Sequence, residues 1–224
     1  MHLKDVSFKT RALQSNVNVG WMAGVATAED LGPLKDKLFS SSTYFEYLDA
    51  AAAGDKDALY ALGTMYEFGA IFWENLASST VINIPQNPET ARAIFELAEE
   101  KDHAEASYRL GLMAHHGAVE PADQTIATKH FRIGAEAGHG VCCRMLGIYC
   151  VQRNDVEQAS KWFMLGAKLQ DPICCFNVAA DMLSSGYTGG SKEEALAFAK
   201  IAANQIPNDQ GLRDLIQKIA ASSD

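Results

Sequence analysis

One short pattern recurs along the chain, and it decides what the chain can fold into. Leu62-Gly63 lies in Ala-Leu-Gly-Thr-Met-Tyr-Glu-Phe-Gly, ending at Gly69. Leu110-Gly111 lies in Arg-Leu-Gly-Leu-Met-Ala-His-His-Gly, ending at Gly117. Leu146-Gly147 lies in Met-Leu-Gly-Ile-Tyr, and a degenerate fourth copy has Val178-Ala179 at the same place. The marked positions are 48, 36 and 32 residues apart. A repeat of this length is one supersecondary unit that buries its apolar face only against a neighbour.

A second signature alternates with the first. Ala91, Phe95 and Ala98 are spaced by four and three, as are Ala127, Phe131 and Gly134, and Ala159, Phe163 and Gly166. Ala195, Ala199 and Ala202 continue the series, and Thr43, Tyr47 and Ala50 supply an earlier copy. Such steps fall on one side of a helix. The small residues let two helices approach closely, and the aromatic fills the space between repeats. The pattern predicts helix pairs at 55–68 with 89–100, 103–116 with 123–137, 140–151 with 155–168, and 172–184 with 192–204. Leu212, Leu215, Ile216 and Ile219 form an apolar stripe on a closing helix, with Asn208 or Asp209 as its N-cap. Pro33 to Ala53 reads as a helix closing the other end.

The Leu-Gly-x-x-Tyr-x-x-Gly run of residues 62–69, with the Ala-x-x-x-Phe-x-x-Gly-Ala-x-x-Gly run of residues 127–138, resembles the Sel1-like repeat family, relatives of tetratricopeptide repeats. The resemblance covers roughly residues 42–205. Two departures stand out: Arg153 replaces the Gly after the first helix of the third copy, and the fourth has lost Leu-Gly. The resemblance implies an all-α solenoid of antiparallel helix pairs wound into a right-handed superhelix. It also implies binding rather than chemistry, since members of the family are mostly adaptors and scaffolds. The domain reading is an irregular segment 1–30, a repeat array 31–205 with an insertion loop 70–88, and a capping helix 206–224.

With the motif Leu as zero, positions −3, 0, +1 and +4 form the packed face, as in Leu59, Leu62, Gly63 and Tyr66. Positions −2, +2, +5 and +6 lie roughly 100° or more round the helix at about 3.6 residues per turn. In tetratricopeptide-like superhelices that second face lines the concave groove. It carries Tyr60, Thr64, Glu67 and Phe68, then Tyr108, Leu112, His115 and His116. It continues with Arg144, Ile148, Val151 and Gln152, and with Phe176, Ala180, Leu183 and Ser184. Tyr and Arg are favoured at binding hot spots. The bland reading is that curvature buries these side chains against neighbouring repeats. The insertion is the second candidate, with Phe72 and Trp73 among its apolar residues. Long insertions in repeat arrays project from one face and are often functional. The opposing reading tucks them back as local core.

The remaining chemistry argues against a reaction centre. Cys142, Cys143, Cys150, Cys174 and Cys175 are odd in number, include two vicinal pairs, and match neither a disulfide framework nor a Cys-x-x-Cys knuckle. They read as reduced thiols filling small packing positions. His115-His116 ends a helix, where a cation suits the helix dipole. Gly-Tyr-Thr-Gly-Gly at 186–190 lacks the Gly-Lys-Ser/Thr of a phosphate loop. No cofactor, metal or nucleophile–base constellation is expected.

Net charge −9 and the absence of a basic patch exclude nucleic acid and favour a partner of basic character. No apolar run reaches the roughly 18–20 residues that span a bilayer, so no membrane role is expected. Near the N-terminus, residues 19–25 and Ala26-Thr27-Ala28 approximate a secretion signal, but Asn16, Asn18 and Asp5 interrupt it. The expectation is a cytoplasmic protein–protein interaction module working through the groove. Alternatives are an immunity or inhibitor protein that neutralises a toxin, a hydrolase acting in the groove, and a self-associating structural protein.

Overall fold

The computed structural model describes residues 41–73, 81–186 and 190–222. Ten helices follow one another along these residues: α1 Ser41–Ala52, α2 Lys56–Phe68, α3 Pro88–Glu99, α4 Ala104–His116, α5 Gln124–Glu136, α6 Gly140–Gln152, α7 Val156–Lys168, α8 Pro172–Ser184, α9 Lys192–Gln205 and α10 Gln210–Ala221. The predicted pairs reappear with boundaries within about two residues. Residues 1–30, and residues 33–40 of the predicted leading helix, lie outside the described residues. The chain divides into two compact units, Met1–Asp123 and Gln124–Asp224. The division falls between α4 and α5.

In the first unit α1 packs on α2, α2 on α3 and α3 on α4. Leu59, Leu62, Met65, Ile94, Phe95 and Leu110 are buried in one core, with Tyr44 and Ala51 from α1. The described parts of the insertion are strands: β1 Ala70–Trp73 pairs antiparallel with β2 Val81–Ile84, Ala70 facing Ile84 and Trp73 facing Val81. Ile84 is buried in this core, and Asn87 caps α3 while its N–H donates to the Tyr66 carbonyl at 2.7 Å. The side chains of residues 71–83, Phe72 and Trp73 included, lie outside the described residues.

In the second unit α5 packs on α6, α6 on α7, α7 on α8, α8 on α9, and α10 on α9 and α8. Phe131 and Tyr149 meet with ring centroids 6.0 Å apart, both almost fully buried. Leu212, Leu215 and Ile219 seal α10 onto the core around Val178 and Met182, and Asp209 is its N-cap.

The Leu-Gly motif has a steric cause. A Cβ on Gly63 would stand 2.6 Å from Phe95 Cε1, and one on Gly147 would stand 2.5 Å from Phe163 Cε1. The glycine of one signature is the seat of the aromatic of the other. The fourth copy keeps the fit by changing both sides: Ala179 and Ala199, each fully buried in one cluster, stand where the other copies have Gly and Phe.

The turns that lead into α2, α4, α6 and α8 are also built alike. A residue at positive φ precedes each N-cap: Gly54 (86°), Asp102 (57°), Gly138 (91°) and Gln170 (63°). The caps that follow are Asp55, His103, His139 and Asp171, each accepting from the backbone N–H three residues on. Their own N–H groups return to the carbonyls of Ala50, Ala98, Gly134 and Gly166, at 2.9–3.1 Å. Those four acceptors are the small residues of the second signature. The helix C-terminus and the next N-terminus are thus satisfied by one local hydrogen-bond scheme.

Candidate functional site

In two copies the residue at position −2 forms a joint. The Tyr60 ring stacks on the His103 imidazole, centroids 4.6 Å apart at 15°. Arg144 Nη1 lies 3.4 Å from Asp171 Oδ2, a carboxylate that is almost fully buried while its other oxygen caps α8 through Cys174 N–H. His103 and Asp171 are the caps of the next first helix in each case, so these two side chains lock one repeat to the next. Phe176 packs half-buried against the second unit's core. Tyr108 and Leu112 are half-buried. Thr64 is 3% exposed and its hydroxyl donates to the Tyr60 carbonyl at 3.0 Å. Thr64, expected on the binding face, is instead buried in the first unit and presents no surface to a partner. His115 and His116 meet edge to face at 4.8 Å in the last turn of α4, which Gly117 closes in the left-handed conformation.

At the far end of α2 a charged pair crosses the surface. Arg109 donates to Glu67 through Nε at 2.9 Å and approaches it through Nη2 at 2.7 Å, with its guanidinium 4.8 Å over the Phe68 ring. Both charged side chains are about four-fifths buried. Burial pushes the Glu67 carboxyl above its ordinary value, and Arg109 pulls it back down.

The corresponding place in the second unit is open. A cleft of about 540 Å³ lies between α6, α7 and α8. Ile148 and Val151 form one wall, Val156, Phe163 and Met164 a second, and Asn177, Asp181 and Met182 a third. Ile148, Val151 and Val156 are exposed at 37, 54 and 65%. Exposed aliphatic residues that share a concave lining mark an interaction surface better than scattered ones do. Counted from the motif positions, Val151 and Gln152 stand where Glu67 and Phe68 stand, and Asn177 stands where Arg109 stands. In the first unit the chain covers this space with its own arginine. In the second, Asn177 is too short to cross and Val151 offers it no charge.

A second cleft of about 410 Å³ between α5, α6 and α7 has Arg132 and Arg153 beside Glu136 and Asp155, with Trp162. Its charges are mixed, Arg153 leans on Cys150 Sγ at 3.6 Å, and Asp155 caps α7. The net charge is unevenly held: residues 124–224 carry equal numbers of acidic and basic side chains, so the whole excess of −9 belongs to residues 1–123.

All five cysteines are free and buried. Burial pushes the Cys143 and Cys175 thiols up to about 11 and raises Cys174 further, with Asp171 adding to each shift. Thiols so placed are packing groups rather than nucleophiles. Among the described residues no cluster of three or more His, Cys, Asp or Glu could hold a metal ion, and no helix is long and apolar enough to cross a membrane.

Of the predicted contact residues, the structure brings Ile148 and Gln152 together in the cleft and holds Tyr60 and Arg144 in joints. The sequence reading passed over Val156, Met164, Asn177, Asp181 and Met182. Aligning Asn177 under Arg109 would have pointed to them.

The model of the Sel1 repeat family matches residues 56–77, 80–103, 104–139 and 172–206. No curated protein matches the chain. Among solved structures, a Sel1 repeat protein from Oxalobacter formigenes superposes with a TM-score of 0.59 at 18% identity, over 81% of this chain and 79% of that one. The protective antigen c5321 of uropathogenic Escherichia coli, which displays an SLR fold, superposes with a TM-score of 0.56 at 22% identity; 78% of this chain aligns, spanning 35% of that one. The immunity protein Pa5087 from Pseudomonas aeruginosa aligns less closely, with a TM-score of 0.47 at 14% identity over 82% and 68% of the two chains. At these identities the first two likenesses concern the fold alone.

Proposed function

We propose that this chain, which belongs to the Sel1 repeat family, is a protein-binding module that takes its partner at the cleft between α6, α7 and α8. Sel1 repeats generally mediate protein–protein interaction. The observation that carries the cleft assignment is the contrast between two copies of one repeat. One covers its inter-helix surface with Glu67, Phe68 and Arg109, while the other leaves Ile148, Val151 and Val156 in water. Keeping three β-branched apolar side chains exposed gains nothing for the fold. Burying them under a partner recovers their hydrophobic free energy, on the order of 25 cal/mol for each Å² covered. The task is binding, with no bond made or broken. Tyr60 and Arg144 contribute by holding successive repeats in register.

The test is affinity capture from host lysate with the wild type and with an Ile148→Asp/Val151→Asp variant. Both positions are exposed, so the variant keeps its helicity and its melting temperature to within a few degrees. A protein retained by the wild type and lost by the variant supports the reading. Equal retention by both removes the cleft from it.

A further inference from the structure

The geometry points to an arginine as the residue the partner presents to this cleft, set beside an aliphatic side chain in the same segment. The inference rests on the protein-binding reading and names the chemistry of the occupant. Its first support is internal. In the first unit the chain shows what suits this place in the repeat: a long apolar stem across the gap, with a planar guanidinium over one neighbour and paired to a carboxylate. In the second unit the stem and the guanidinium are missing, because Asn177 stands in the place of Arg109. The apolar floor for a stem is present in Ile148, Val151 and Met182.

The second support is charge. Asp181 is the sole charged residue lining the cleft, it is exposed, and its carboxylate forms no ion pair among the described residues. The acidic group has changed walls between the copies, from the Glu67 position on the first helix of one repeat to Asp181 on the first helix of the next. An incoming guanidinium reaches a carboxylate in either arrangement. Arginine fits better than lysine, because its fork pairs with a carboxylate at two points and its weaker hydration lowers the cost of half-burial. The surrounding unit is neutral overall, so the cleft's preference is local.

The experiment is selection of a random dodecapeptide phage library on the wild-type chain. Counter-selection uses a Val151→Glu/Asn177→Arg variant that rebuilds the first unit's plug. Peptides kept by the wild type and released by the plugged variant are expected to carry Arg next to Leu, Ile, Val or Met well above the library frequency. For the best of them, made as a fluorescein-labelled peptide, Asp181→Asn should weaken binding roughly three- to tenfold, and replacing its Arg by Glu should weaken it more. Circular dichroism checks that the plugged variant folds. Ile148→Asp serves as a second counter-selection, so a misfolded plug leaves the result decidable. Cleft-dependent peptides without Arg enrichment, or an Asp181→Asn variant that binds as the wild type does, would overturn this inference and leave the protein-binding reading standing. A selection that yields no cleft-dependent peptide would overturn both.

Discussion

Gly63→Ala isolates the contact that the repeat motif encodes. The new Cβ would stand 2.6 Å from Cε1, 2.7 Å from Cδ1 and 3.1 Å from Cζ of Phe95, a ring with no exposed surface. Overpacking of a closed core costs about 1–3 kcal/mol, and a clash with three atoms of an enclosed ring belongs in the upper half of that range. Replacing a helical Gly by Ala returns about 1 kcal/mol of backbone entropy. The net loss is then about 1–2 kcal/mol. Gly147→Ala provides the comparison. Its clash with Phe163 is as close, at 2.5 Å, but Phe163 is half-buried and lines the open cleft, so the ring can swing aside. Gly147→Ala should therefore cost about 1 kcal/mol less than Gly63→Ala. Urea unfolding followed by far-ultraviolet circular dichroism measures both. The Gly63→Ala/Phe95→Ala double variant should cost less than the sum of the single ones by about 1–3 kcal/mol, since it recreates the Ala179–Ala199 arrangement already present. A neutral Gly63→Ala, or an additive double variant, would refute the reasoning.

Arg144→Ala should destabilise the fold by about 1–3 kcal/mol, because it strands the buried Asp171 carboxylate; Arg144→Ala/Asp171→Asn should recover part of that loss in the same urea experiment. Burial pushes the His103 imidazole below its ordinary value, against the opposing pull of Asp57, and its Nδ1 must be unprotonated to accept from Ala106 N–H at 3.2 Å. Its contribution is therefore complete above the unfolded-state value of about 6.5 and is lost as the pH falls through the lower folded-state value. A His103→Asn variant, which caps without titrating, should show a smaller drop in melting temperature between pH 7.5 and 5.5 than the wild type; an equal drop would sink this assignment. With all five thiols buried and three of them raised, native protein at pH 8 should react slowly with a disulfide reagent such as DTNB and release five equivalents once denatured; fast native reaction would contradict the packing role.

The helix pairs were legible because Ala91, Phe95 and Ala98 recur at the same helical spacing as Ala159, Phe163 and Gly166, and each Phe seats on the Gly of the preceding helix, Gly63 or Gly147. The strand pair was not legible. Ile71, Phe72 and Trp73 and the run Val81 to Ile84 have strand-forming residues, but an insertion carries no period to weigh against a loop. The turns hid for another reason: Asp102 and Gln170 hold a positive φ that the sequence marks with glycine at only Gly54 and Gly138. The candidate surface was half legible. Periodicity identifies which helix face looks outward, and it placed Tyr60, Arg144 and Ile148 on one face. It cannot tell whether the neighbouring repeat has taken up a side chain, as His103 takes Tyr60 and Asp171 takes Arg144, or left it free, as Asn177 leaves Ile148.

The claim that the α6–α7–α8 cleft holds a protein is tested most directly by placing a benzophenone photocrosslinker at Val151, and separately at Val156, and irradiating the chain in host lysate. Gln205, exposed and outside the cleft, serves as the control position. One and the same protein is expected to be crosslinked from Val151 and Val156 and absent from Gln205. Crosslinks equal at all three positions, or none from the two valines while capture by the unlabelled chain persists, would contradict it.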